Sequence, residues 1–462
     1  IIRQAQAWFF MTAVMPKLRY QIEKFFKLKE LNTGIRTEVI AGLTTFMTMA
    51  YIIFVNPAMI SRTGIDFGSA MTATCVSAAA ATIMMGLYVN YPIALAAGMG
   101  ENAFFTYTVC FTMGISWQVA LGCVFIEGII FVILTLTKFR QKLIDVIPAS
   151  IRYATACGIG LLIAFVGLID AGFVVGHPAT LVTLGDIISP PAIVAVLGLI
   201  ITGVLLVKKI RGAILWGMLI TAMVGIFLGV VKFQGLVSTP PSMAATFMKL
   251  DIKGAFNLGL VSIIFIFLFM DLFDTVGTLA GVGEMGGFMK NGKLPRAGKA
   301  MLTDAVGTCV GAACGTPTVT AYIESASGIA SGGRSGLASV ITGAAFLGAL
   351  FFFPLIKMIG GGYQSADGFI FHPVTSPALI IVGSMMLHSI TKIDWKDYSE
   401  SIPAFIVILM MPLTFSIATG IAMGFVSYAA LKLLSGRGKE VSWLVYLLAS
   451  LFILRFVYLK AI

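Results

Sequence analysis

The sequence is poor in charge. Only 11% of its 462 residues are Asp, Glu, Lys or Arg, while 58% are hydrophobic, against about 25% charged residues in an ordinary soluble domain. So little charge cannot cover the wet surface of a chain this long, and a water-soluble globular protein is excluded. Histidine is scarcer still: His177, His372 and His388 lie apart at or near the ends of apolar runs, which leaves no metal-binding set. The cysteines Cys75, Cys110, Cys123, Cys157, Cys309 and Cys314 form no CxxC pair and fall mostly within apolar segments. They read as small packing residues, with no disulfide framework. There is no HExxH, GxSxG or histidine cluster, so an intramembrane enzyme lacks its nucleophile, base or metal. A cleavable signal sequence is not evident either, because AWFFMTAVM runs into the basic, amphipathic PKLRYQIEKFFKLKELN. That segment is expected to lie on the cytoplasmic surface.

What is present is a series of apolar runs, many near the twenty residues that cross about 30 Å of hydrocarbon as a helix. They lie at 37–55, 68–89, 92–111, 117–136, 148–169, 191–207 and 213–231, then at 255–281, 300–314, 318–330, 337–358, 375–390, 402–417 and 418–434. The expectation is an all-α polytopic membrane protein of about fourteen spans. The last apolar run, WLVYLLASLFILRFVYL, is left open between spanning the membrane and lying on it. Seven spans precede the loop at 233–254 and seven follow, and an odd number per half gives the halves opposite orientations: two inverted repeats.

The net charge of +11 raises the question of nucleic acid, and the placement of the cations answers it. Alternate loops receive Lys17 to Arg36, then Lys138, Arg140 and Lys142, then Lys208, Lys209 and Arg211. The same side takes Lys290, Lys293, Arg296 and Lys299, then Arg334, Lys392 and Lys396, and finally Lys432, Arg437 and Lys439, while the other side keeps scattered charges such as Arg62 and Lys232. This positive-inside asymmetry puts the N-terminus in the cytoplasm and leaves no basic face for nucleic acid.

Against this background the few buried acids stand out. Glu324 lies in CGTPTVTAYIESASG, a Gly-interrupted segment, and the corresponding third span, PIALAAGMGENAFF, is interrupted in the same way. Interrupted segments at matching places of two halves point to a transporter's central site. A short extended stretch, PTVTAY, ending at a helix start near Glu324 would offer free N–H groups to a carboxylate, with Ser325 and Ser327 as further donors. In the eighth span Asp271 and Asp274 share a helix face. Asp274 reads as a cavity residue, Asp271 equally as a structural partner, and Asp304 in the ninth span more as a structural one. Glu101 and Glu127 flank the turn near Gly114 at about 13 positions on either side, so helical arms rising 1.5 Å per residue bring both roughly 20 Å deep. Two such carboxyls on antiparallel neighbours are expected to share a proton, the alternative being that Glu101 lines the cavity and Glu127 faces elsewhere.

Several long motifs carry a resemblance. NTGIRTEVIAGLTTFMTMAYIIFVNP, GMGENAFFTYTV, DLFDTVGTLAGV, GKLPRAGKAMLTDAVGT and GTPTVTAYIESASGIASGGRSGL resemble the AzgA-type purine permeases, within the nucleobase and ascorbate transporter group. The resemblance runs from about residue 27 to the C-terminus. It implies a proton symporter of hypoxanthine, guanine or adenine in the inner (plasma) membrane, working by an elevator-like movement of a core against a gate. The runners-up are a xanthine or pyrimidine base and an anion transporter of the same architecture. It divides the chain into an N-terminal cytoplasmic segment (1–35), core (36–137 and 255–360), gate (138–232 and 361–435), inter-repeat loop (233–254) and C-terminal apolar segment (436–462). Short strands of spans 3 and 10 are expected to meet span 8 at the purine site. The family's binding carboxylates map onto Asp274 and Glu324 and its span-3 amide onto Asn102. A purine's N–H groups suit such acceptors, and Phe46, Phe104, Phe105 and Phe273 are candidates to stack on its face, with Thr320 and Ser325 as polar neighbours. Glu324, Asp274, Glu101, Glu127 and Asp304 are the candidates for proton coupling. The chain departs from the family's pattern at Glu101, before the Asn, where an apolar residue is usual. Neither a cofactor nor a metal is expected, and the partners are the base, the proton and membrane lipid, with a homodimer left open.

Overall fold

The structure, a computed structural model, describes residues 15–137, 148–256, 260–289, 294–365 and 369–458, with the side chains of 15–18, 273 and 455–458 left aside. The cations Lys17, Lys138, Arg140, Lys142, Lys290 and Lys293 and the Phe273 ring therefore lie outside what is described.

The first half runs α1 (Met15–Phe25), α2 (Ile35–Met49), α3 (Ile52–Ile60), α4 (Phe67–Met84), β1 (Leu95–Ala97), α5 (Met99–Ala103), α6 (Trp117–Leu136) and α7 (Ala149–Asp170). A hairpin of β2 (Val174–His177) and β3 (Leu181–Leu184) leads to α8 (Pro190–Val207) and α9 (Ala213–Phe227). The second half runs α10 (Ile252–Ala255), α11 (Val261–Met285), α12 (Ala297–Cys314), β4 (Val319–Ala321), α13 (Ser325–Ala330), α14 (Gly336–Ala349) and α15 (Phe353–Gly360). After the short pair β5 (Tyr363–Gln364) and β6 (Ile370–Phe371) come α16 (Ser376–Met386), α17 (Tyr398–Thr414), α18 (Ile417–Leu434) and α19 (Trp443–Tyr458).

The chain is mostly helical because its apolar runs leave backbone groups no partner but each other. Among the described residues, eight helical segments are long and apolar enough to cross a membrane, and three shorter apolar helices accompany them. The helix starts are written locally. Asp66 accepts a hydrogen bond from the Ser69 N–H at 2.8 Å to open α4, Ser416 accepts one from the Thr419 N–H at 3.1 Å to open α18, and two prolines begin α8.

Packing falls into two sets. α4 packs against α12 and α14, α2 against α14, and α6 against α11 and α12. Separately, α7 packs against α16, α17 and α18, α8 against α9 and α16, and α18 against α19. Small residues allow the close crossings, since helix–helix association in lipid rests on van der Waals contact. Where α14 crosses the end of the α4 span, the Cβ of any other residue at Gly336 would strike the Gly86 carbonyl oxygen.

Candidate functional site

The centre of the molecule is a two-stranded ribbon with no side chain larger than Leu. β1 and β4 run antiparallel with Leu95 opposite Ala321, Ala96 opposite Thr320 and Ala97 opposite Val319, and every one of these residues is buried. The ladder extends through Gly98 N–H to the Thr318 oxygen and Tyr322 N–H to the Ala94 oxygen, both at 2.9 Å. So short a ribbon leaves outer backbone groups to be satisfied by side chains. On one side the Thr82 hydroxyl donates to the Leu95 oxygen (2.8 Å) and accepts from the Leu95 N–H (2.9 Å). On the other, the Thr308 hydroxyl makes the same pair of bonds to Val319, each 3.2 Å long. Each threonine comes from the helix preceding its strand.

Each strand turns directly into a short helix, α5 after β1 and α13 after β4, and beyond α5 the chain widens into π-helical turns over Phe104–Thr112. Glu324 sits at the N-cap of α13, half-buried, and its Oε1 accepts a hydrogen bond from the Tyr51 hydroxyl at 2.8 Å. Tyr51 reaches it because the first span is broken between α2 and α3 at Ala50 and Tyr51. Asp274 lies on α11 with its side chain exposed, and its Oδ2 accepts from the Thr320 hydroxyl of β4 at 2.8 Å. One turn on, a Cβ at Gly277 would meet nothing within 4 Å, so open space adjoins this face of α11. Among the described residues no Lys or Arg pairs with either carboxylate.

Other expected site residues sit deeper. Asn102 is fully buried, its Nδ2 donating to Asn56 Oδ1 at 2.6 Å. The Ser325 hydroxyl accepts from the Ala94 N–H at 3.0 Å, which ties α13 to the chain before β1. Phe104 is fully enclosed and meets Phe267 edge-on at 4.8 Å, and Phe105 is equally enclosed, so both rings serve packing here. Phe46 is half-buried, edge-on to Phe346 at 5.3 Å.

The remaining carboxyls gather beside the ribbon. Asp271 Oδ2 lies 3.1 Å from the Thr308 hydroxyl, competing with the Val319 oxygen for its one proton, and Asp304 accepts from the Thr275 hydroxyl at 2.7 Å, both acids in full burial. Glu127 on α6 is buried with neither oxygen meeting a donor among the described residues. Asp304, Glu101 and Asp271 are its acidic neighbours. The Glu101 carboxylate instead folds back against Gly98 at the start of α5.

Tyr51 and Asn56 are not among the residues that the sequence pattern singles out, although a hydroxyl and an amide inside an apolar run, ahead of Pro57, are a signal of the same kind as the buried acids.

Comparison with known proteins places this arrangement. The permease-family model Xan_ur_permease matches residues 36–423, most of the chain. The chain belongs to this permease family. It is therefore an integral membrane transporter and not an enzyme. It is 45% identical over 451 residues to a guanine/hypoxanthine permease of Bacillus subtilis, covering 95% of this chain and 100% of that one. It is 43% identical over 441 residues to an adenine permease of Escherichia coli, covering 95% and 97%. Among solved structures, the transmembrane domain of a cyanobacterium bicarbonate transporter has a TM-score of 0.61 over 83% of this chain and 96% of that one, at 13% identity. That likeness concerns the fold alone.

Proposed function

We propose that this chain imports a purine nucleobase, hypoxanthine, guanine or adenine, by proton symport. The base would lie where β4 meets α11, its N–H groups accepted by the carboxylates of Asp274 and Glu324. The observation that carries this reading is that pair, two acids in an apolar protein whose side-chain partners among the described residues are the hydroxyls of Thr320 and Tyr51. A carboxylate deep in a membrane protein without a cation needs a polar occupant or a proton, and purine transport with symport supplies both. The names of the relatives from Bacillus subtilis and Escherichia coli support the substrate class.

Movement would be of the elevator kind, with the core (36–137 and 255–360) carrying the base past the gate (138–232 and 361–435). The two packing sets support this division, since most contacts of α7 to α9 and α16 to α18 stay within their own set. The matching threonines Thr82 and Thr308 support an inverted repeat of fourteen spans in all, with the N-terminus cytoplasmic. Asp274, Glu324, Glu101, Glu127 and Asp304 would share the coupling proton among them. Uptake of labelled hypoxanthine into proteoliposomes under an imposed pH gradient tests the whole reading. Accumulation that follows the gradient is expected, and uptake indifferent to it would remove the symport.

A further inference from the structure

Asn56 has no task in the reading above, yet its amide is fully committed. It lies in α3 with no exposed surface, and its Nδ2 donates to Thr74 Oγ1 at 2.8 Å and to Thr316 Oγ1 at 2.9 Å. Its Oδ1 accepts the Asn102 Nδ2 at 2.6 Å. The two ends of an amide have the same shape, so its orientation must be deduced from the partners. Thr74 decides it. The Thr74 hydroxyl proton goes to the Ala70 carbonyl one turn back at 2.7 Å, which leaves Thr74 only lone pairs to offer Asn56. With that proton so placed, Asn56 turns its NH2 toward Thr74, its oxygen faces Asn102, and Asn102 answers with its own NH2. That leaves Asn102 Oδ1 free, wholly buried and without a donor among the described residues. A buried acceptor left unmet is costly, and a ligand N–H would relieve it.

We propose that Asn56 is a positioning residue for base selectivity: held by Thr74 and Thr316, it locks the Asn102 amide with its carbonyl oxygen presented to an N–H of the purine. This rests on the placing of Asn102 at the base. An amide free to turn over would offer NH2 to a bare ring nitrogen as readily as oxygen to a ring N–H. A locked one discriminates, because a base lacking that N–H leaves the oxygen unmet. N-methylation at that point of the base removes the donor and fills its space.

The test is competition binding on the purified full chain, with labelled hypoxanthine displaced by hypoxanthine and by its 1-, 7- and 9-methyl derivatives. In the wild type at least one methyl derivative should compete about tenfold worse than the parent, the size of one well-made buried hydrogen bond. The double variant Thr74→Val and Thr316→Val removes both acceptors that fix Asn56, with little change of shape, and should bring that ratio toward one. The Thr74→Ser and Thr316→Ser pair keeps both hydroxyls and should restore it, which a merely structural role would not require. If the valine pair does not fold, Thr74→Val alone carries the test, since Thr74 sets the orientation. A wild-type ratio in the valine variants overturns the inference. If Asn102→Ala also leaves every ratio unchanged, the placing of Asn102 at the base fails and the inference falls with it, and wild-type protein that binds no purine overturns the functional reading itself.

Discussion

Arg62 and Asp170 join the end of the first span to the end of α7 through a fork of two bonds. Arg62 Nη2 donates to Asp170 Oδ1 at 2.8 Å and Oδ2 at 2.7 Å, and Nη1 donates to the Tyr107 hydroxyl at 3.2 Å. The Asp170 side chain is 5% exposed and that of Arg62 25%, so the pair is largely withdrawn from water. Removing one partner strands the other. Arg62→Leu should therefore cost about 3 kcal/mol, the lower end for a buried pair because the guanidinium keeps some solvent. The double variant Arg62→Leu and Asp170→Leu should cost less than the sum of the two single changes. Thermal unfolding of the detergent-solubilised protein measures both, and additive losses would show that the fork contributes no coupling.

Next to this pair, in the loop before α16, His372 donates its backbone N–H to the Asp170 oxygen at 2.9 Å and sets its ring Nδ1 at 3.1 Å from the Gly360 oxygen. Burial pushes its pKa down to about 4, the nearby Arg62 charge adding to the effect while Asp170 and the Gly360 carbonyl oppose it. An unfolded histidine titrates near 6.5. The unfolded chain therefore takes up a proton below about pH 6.5 that the folded chain refuses until about pH 4. Stability from this group should be constant above pH 6.5, fall by about 3 kcal/mol as pH drops to 4, and level off below. His372→Gln should flatten that part of the stability profile. A slope unchanged by the substitution would assign it to other groups.

Glu324→Gln and Asp274→Asn keep shape but lose the charge that would accept the base, and each should abolish uptake or reduce it severely. Tyr51→Phe is the finer probe. It removes one hydrogen bond to Glu324 without touching the base, a loss of about 1 kcal/mol, and should weaken the apparent affinity about fivefold while transport persists. Wild-type affinity in Glu324→Gln would remove that residue from the site.

The orientation is tested by chemistry at a loop. A cysteine in place of Lys209, between α8 and α9, should react with a membrane-impermeant thiol reagent only from the cytoplasmic side, after the half-buried Cys110 and the other native cysteines are replaced. Labelling of intact cells at this position would invert the topology.

Much of the helical framework is legible in the sequence. The helix at Trp117–Leu136 coincides with the apolar run at 117–136, and α8 and α18 begin within a residue of theirs. Hydrophobicity and turn chemistry are properties of neighbours in sequence, so a local reading finds them. The buried acids are legible for a related reason: a carboxylate in an apolar run is costly wherever the chain goes. The ribbon of β1 and β4 is foreshadowed by glycine and proline interruptions in two runs, which announce that a helix stops but not what replaces it.

Composition and hydropathy alone thus determined that this is a membrane protein and where most of its helices lie. Partnership was decided only by the tertiary structure. Tyr51 meets Glu324 across 273 positions and Asn56 meets Thr316 across 260, and nothing local marks those pairs. Phe104 and Phe46 look alike in the sequence, yet one is sealed in the core and the other half-buried beside Phe346. The reason is geometric: a one-residue change of register turns a helical side chain by about 100°, so the neighbour it meets depends on how whole helices dock, and only the assembled packing fixes that docking.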